Sequence, residues 1–259
     1  MLKENIYKQA LQDFKREGIC IVKDLFSSSE VKIFQDETQR LWSEQKNLNP
    51  YNLRIGLRKD LNGKDILERL DPVSDISEVF SNFNNDNRIL QIAKGILQAP
   101  TIILKEKLIY KWPGSSGYGA HRDATYFSVT KEGPSGNEII SMALFLDKTN
   151  SENGSIKFYP NLKHTKLAAP KEEPRDIDNK VLEKYTALQP TLEPGDIVIF
   201  DGLTPHSSNF NKSNSPRRVY MITFSLQKFP NCRKDYYTFR HSELSKNRRK
   251  DYNGNFYLI

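Results

Sequence analysis

The sequence predicts an α+β domain, mainly β, with its strands closed into a sandwich or barrel and its helices flanking on the N-terminal side. Three observations carry that expectation. Apolar residues recur at helical spacing through roughly the first hundred positions, then change to short alternating or continuous runs. The later runs are divided by turn clusters: Pro113-Gly114-Ser115-Ser116-Gly117, Gly133-Pro134-Ser135-Gly136 and Asn150-Ser151-Glu152-Asn153-Gly154. Finally, 259 residues without an internal repeat or linker suit one domain, helical over about 1–100, stranded over about 101–227 and basic over about 228–259.

Ile6, Ala10, Leu11 and Phe14 place an amphipathic helix over 5–16, ended by Gly18, and Ile19 to Val22 reads as a short buried strand. Ser27-Ser28-Ser29-Glu30 has the form of a capping box, and Val31, Phe34, Leu41 and Trp42 continue in helical phase behind it. Residues 47–75 show no clear period. A third helix is predicted over 86–98, with Asp86 near its start. Strands are expected at 101–110, 121–129, 138–147, 155–159, 197–200 and 218–226. The connection over 165–189, with Pro170 and Pro174, reads as a long surface loop, and 227–252 as helical or irregular surface, which leaves His241 solvated.

A formal net charge of +7, from 39 Lys+Arg against 32 Asp+Glu, fits a nucleic-acid binder, an enzyme for anionic substrates or a merely basic soluble protein. No long Lys/Arg run or basic-aromatic stripe interrupts the first 230 residues, so nucleic-acid binding is disfavoured. Cys20 and Cys232 read as reduced and structural, which suits the cytoplasm. Neither a secretory signal nor an apolar run long enough for a membrane span is visible.

Of four histidines, His121 stands two residues before Asp123. On a strand, i and i+2 share a face, so the imidazole and carboxylate would lie side by side with Arg122 turned away. They are two of the three ligands in the two-histidine, one-carboxylate set of non-haem Fe(II). His206 follows an apolar strand and precedes a polar loop, and Arg217-Arg218 begins eleven residues later. An antiparallel return would bring one of these arginines near the metal, where a guanidinium can take a carboxylate bidentately. Spacing alone does not choose between them.

These residues give the chain a family likeness. Asp13-Phe14-Lys15-Arg16-Glu17-Gly18, the Ser27 helix, Lys111-Trp112-Pro113-Gly114, His121 to Phe127, Glu152 to Pro160, Gly195-Asp196 to Phe200 and His206-Ser207-Ser208 with Pro216-Arg217 run in family order. Over about 10–227 the chain resembles the phytanoyl-CoA dioxygenase family of Fe(II)/2-oxoglutarate-dependent oxygenases. The resemblance implies a double-stranded β-helix (jelly roll, cupin-like) and Fe(II) on His121, Asp123 and His206. It implies 2-oxoglutarate and O2 as co-substrates, with Arg217 on the distal carboxylate and Ser208 assisting. Thr125 and Lys107 are further candidates for holding the co-substrate. The chain departs from the family at Ala120 and Arg122, and Pro160-Asn161-Leu162-Lys163-His164 replaces a Pro-Gly-Ser-His segment.

The implied reaction is hydroxylation of a small-molecule metabolite with release of succinate and CO2. Desaturation or cyclisation, or an inactive jelly roll that only binds, are the alternatives. Lys105 and Lys107 share one strand face, which would suit an anionic substrate, although a solvated edge reads the same way. Tyr126, Phe127 and Arg122 follow or separate the ligands, and Arg69 lies in a covering-loop region; all are substrate candidates.

Overall fold

The computed structural model describes residues 2–45, 53–127, 133–167 and 176–248. Its N-terminal part holds α1 (Leu2–Glu17), β1 (Ile19–Val22) and α2 (Ser28–Gln45). Gly18 turns the chain at φ +69, and the capping box closes: Ser27 Oγ accepts from Glu30 N at 3.3 Å while the Glu30 carboxylate accepts from Ser27 N at 2.7 Å. The aperiodic stretch resolves into a hairpin, β2 (Ile55–Lys59) and β3 (Asp65–Leu70), then α3 (Glu78–Asn84) and α4 (Asn87–Leu97), whose cap is Asp86.

The β-rich part contains β4 (Thr101–Lys111), β5 (Tyr118–His121), β6 (Ile139–Phe145), β7 (Ile156–Phe158) and β8 (Asp176–Ile177). After the single turn α5 (Asn179–Leu182) come β9 (Ile197–Asp201), β10 (His206–Ser208), β11 (Arg217–Leu226) and α6 (Cys232–Arg248). A seven-stranded antiparallel sheet, β1-β9-β6-β11-β4-β3-β2, faces a four-stranded one, β7-β10-β5-β8. Between them pack Ile109, Phe145, Phe158, Phe200, Val219 and Met221. On the outer face of the large sheet, Leu108, Tyr110, Tyr220 and Ile222 meet Phe34, Phe80, Phe83 and Ile92 of the helices. Strands covered on both faces are buried along their whole length, which is why β6 and β9 are largely apolar and carry no alternation. The architecture is the jelly roll with flanking helices.

Three expectations change. The strand predicted at 121–129 stops at His121, and Asp123–Tyr126 is a 3-10 turn. There Ala124 N leaves the ladder and donates to Gly202 O at 2.9 Å; positions 128–129 lie outside the described residues. The connection over 165–189 is partly structured, because β8 pairs with β5, and Ile177 and Leu182 are buried; Pro170 and Pro174 lie outside the described residues. The basic extension is not simply surface. In α6, Cys232, Tyr236 and Tyr237 pack on Leu104, Phe127 and Ile139, and His241 is half-buried against Tyr237.

Candidate metal centre

The antiparallel pairing of β5 with β10 sets His121 directly opposite His206, with ring centroids 4.3 Å apart. Each Nδ1 lies against a backbone carbonyl, His121 on Gly119 O at 2.8 Å and His206 on Thr204 O at 3.1 Å. A carbonyl only accepts, so each Nδ1 carries the proton and each Nε2 is left as a lone-pair donor. Asp123, on the turn just after β5, completes the group: the ligand atoms of His121, Asp123 and His206 all lie within 4.8 Å of one another, and all three residues are buried. Burial, then the neighbouring His206, depresses the His121 imidazole to about 3, and burial lowers His206 as well. Both rings are therefore neutral, the protonation state a metal requires.

The carboxylate is held from β4 and β6. Lys105 Nζ donates to Asp123 Oδ1 at 2.9 Å, Ser141 Oγ donates to Oδ2, and Ser141 also contacts Thr223 Oγ1 at 3.1 Å. Burial alone would raise this carboxyl; Lys105 above all, with Lys107 beyond it, outweighs burial and holds Asp123 well below the usual carboxylate range. Two imidazoles and one ionised carboxylate on one side of a shared space fit a facial metal site with open positions.

Strand alternation decides between the arginines. Arg217 shares a face of β11 with Val219 and Met221, in the space between the sheets. It is 1% exposed, its Nη2 donates to Gly154 O at 3.0 Å, and its Nε has no acceptor. Burial lowers its pKa to about 10, so it stays cationic near neutrality. Arg218, one residue on, points to the other face and forms a two-point pair with Asp147 at 2.7 and 2.8 Å. Arg217 lines a slot of about 20 Å³ with His121, His206, Lys107, Tyr118 and Ser208. The Ser208 hydroxyl accepts from Lys111 Nζ at 2.7 Å.

The family model described as phytanoyl-CoA dioxygenase (PhyH) matches residues 14–219. The chain belongs to that family. It is a non-haem Fe(II)- and 2-oxoglutarate-dependent dioxygenase, with O2 as oxidant. Among its relatives, a methylphosphonate hydroxylase of Gimesia maris is 29% identical over 61% of this chain and 58% of its own length. A 2-aminoethylphosphonate dioxygenase of an uncultured bacterium is 25% identical over 86% of this chain and 83% of its own. The solved structure of EctD from S. alaskensis with 2-oxoglutarate and 5-hydroxyectoine shares the fold, with a TM-score of 0.73 at 20% identity, covering 85% of this chain and 76% of that one.

Beside His121 and Asp123 opens a cavity of about 300 Å³, which shares Lys107, Tyr118 and His121 with the slot at Arg217. Arg69, Lys105 and Lys107 line it from strand faces and Tyr126 from the 3-10 turn, its ring edge-on to His121 at 5.6 Å. Arg69 is on β3 and not in a covering loop. Other candidates fall elsewhere. Arg122 donates to Leu203 O, Leu162 O and Thr165 O at 2.7–2.8 Å and ties loops together behind the ligands. Ala120 packs beside Tyr159, Leu162 and Ile177 on that same far side. Phe127 is buried in the α6 contact, and Thr125 lines neither cavity. Sequence reasoning missed Arg58 and Tyr118, and the wall formed by Tyr236, Phe239, Arg240, Glu243 and Leu244 of α6. The aromatic residues in that basic segment were the available signal for a buried helix face. No helix among the described residues is long and apolar enough to cross a membrane.

Proposed function

We propose that His121, Asp123 and His206 hold ferrous iron, that Arg217 takes the distal carboxylate of 2-oxoglutarate, and that the enzyme hydroxylates a small polar metabolite. One observation carries this reading: a fully buried guanidinium with an unsatisfied Nε stands in the same slot as both histidines. An unpaired buried cation is costly, and a carboxylate would satisfy it. Iron, when bound, supplies O2 activation coupled to oxidative decarboxylation of 2-oxoglutarate, so that R–H, O2 and 2-oxoglutarate give R–OH, succinate and CO2.

The chain's own contribution is orientation and charge. The Gly119 and Thr204 carbonyls aim the two rings. Lys105 and Ser141 keep Asp123 ionised and fixed. Lys107 lines both slot and cavity, and Ser208 lines the slot beside Arg217. A cavity of about 300 Å³ is at the small end for ligand sites, which favours a compact substrate. The relatives named for methylphosphonate and 2-aminoethylphosphonate support the same size class. Two buried free cysteines suit a reducing cytoplasm. The test is succinate formation by the Fe(II)-reconstituted protein with 2-oxoglutarate and O2. Slow succinate release without added substrate is expected, and its complete absence after verified iron loading would sink the reading.

A further inference from the structure

We propose that Arg69, Lys107 and Arg240 form an oxyanion subsite, and that the substrate carries a dianionic tetrahedral headgroup of the phosphonate or phosphate-monoester type; this rests on the oxygenase reading. The three side chains come from β3, β4 and α6 and line one cavity. Arg69 pairs across the ladder with Ile109, so it lies diagonal to Lys107 on the neighbouring strand. Its Nε is buried without a hydrogen-bond acceptor, and its nearest carboxylate oxygen, Asp71 Oδ2, is 3.9 Å away. Asp71 is itself engaged, accepting from Tyr237 Oη at 3.0 Å. Lys107 Nζ makes no hydrogen bond or ion pair among the described residues.

Room for the Arg69 guanidinium is built into the backbone. Its ladder partner is Gly56, where an added Cβ would sit 2.9 Å from Arg69 Nε. The other cations are committed: Lys105 to Asp123, and Arg58 to Glu68 at 2.8 Å and to the Tyr118 ring at 4.1 Å.

Charge then selects the ligand. Five basic and three carboxylate side chains line the cavity; burial and then the neighbouring Lys105 push the Lys107 ammonium down to about 7, and an anion seated beside it would hold its proton and leave two positive charges over. Iron and 2-oxoglutarate carry opposite double charges and cancel each other. A carboxylate is satisfied by one guanidinium, whereas a doubly ionised phosphoryl group has the charge and oxygens for several cations. Lys105 touches Asp123, and Lys107 is the next residue on that face, about 7 Å further along the strand. A headgroup on Lys107 therefore brings a carbon only a few bonds away to the metal face.

The experiment measures coupled succinate formation by the iron-loaded enzyme with methyl-, ethyl- and propylphosphonate, ethyl phosphate, ethanesulfonate and propionate. Stimulation of about tenfold or more over the substrate-free rate by the dianions, with less than about twofold by the singly charged sulfonate and carboxylate, is expected. Stimulation by phosphonates alone, or by the phosphate ester alone, identifies the headgroup source and supports the proposal either way. Equal stimulation by the sulfonate overturns it, as does background succinate that no dianion raises; absence of all succinate fails the oxygenase reading instead. Arg69→Gln should raise the KM of the active dianion about 30-fold or more, with partial recovery in Arg69→Lys, and an unchanged KM overturns the assignment. Should Arg69→Gln not fold, Gly56→Ala, which displaces the guanidinium, is expected to raise KM in the same direction.

Discussion

The edge where β5 meets β10 and the wall made by β3, β4 and α6 face one another across the same cavity but are built differently. At the edge, His121 and His206 are ladder partners, and each ring is aimed by a carbonyl two residues before it. Its geometry follows from local chain direction and one strand register. The wall gathers Arg69, Lys107 and Arg240 from elements far apart in the chain, and its cations lie on strand and helix faces that only packing orients. The grouping of the two histidines is therefore a matter of local geometry, whereas the cavity wall opposite them is assembled by distant convergence.

That contrast can be broken at graded points. His206→Ala removes one of three metal donors and should lower turnover on the order of 10³-fold with loss of iron binding, read by metal analysis and succinate release. Iron retained at full occupancy in this variant would mean the edge is not the metal site. Arg217→Ala should raise the 2-oxoglutarate KM by roughly 30- to 150-fold, the range of a charge-assisted pair worth about 2–3 kcal/mol. Arg218→Ala should instead move that KM less than about threefold and lower stability by about 1–3 kcal/mol through the stranded Asp147; equal KM effects would refute the strand-face assignment.

Lys105→Met reaches across the cavity from wall to edge. Losing the cation on Asp123 should weaken iron affinity by about 10- to 100-fold, measured by competition with a chelator. An unchanged affinity would show that Ser141 alone orients the carboxylate. The smallest effect is expected at Arg122→Ala, behind the edge. It should cost about 1–2 kcal/mol in denaturant unfolding through its lost carbonyl contacts, with substrate KM within about twofold. A large KM change there would return Arg122 to the substrate side.

Much of the edge was legible in sequence because its signals are short. A His-x-Asp beside a turn cluster, a histidine at the end of an apolar strand and an arginine eleven residues on need only local pattern and one antiparallel return. Even so, the assumed reason was wrong in detail. His121 and Asp123 do not share a strand face; the chain turns into a 3-10 helix between them, because Ala124 N pairs with Gly202 O instead of a ladder partner. The hairpin of β2 and β3 escaped because its Asn, Gly and Asp content masks any alternation.

By itself, then, the sequence determined the change from helices to strands, the His121, Asp123 and His206 grouping as a metal-site candidate, and the family, since periodicity and motif spacing act over a few residues. Tertiary structure decided the rest. The parity of β11 sent Arg217 inward and Arg218 to Asp147, and parity is visible only once the covered faces are known. Likewise the docking of α6 through Tyr236 and Tyr237 turned a basic tail into a cavity wall. Burial of those aromatic rings against Leu104 and Phe127, more than a hundred positions earlier, is a long-range contact, and no local pattern encodes it.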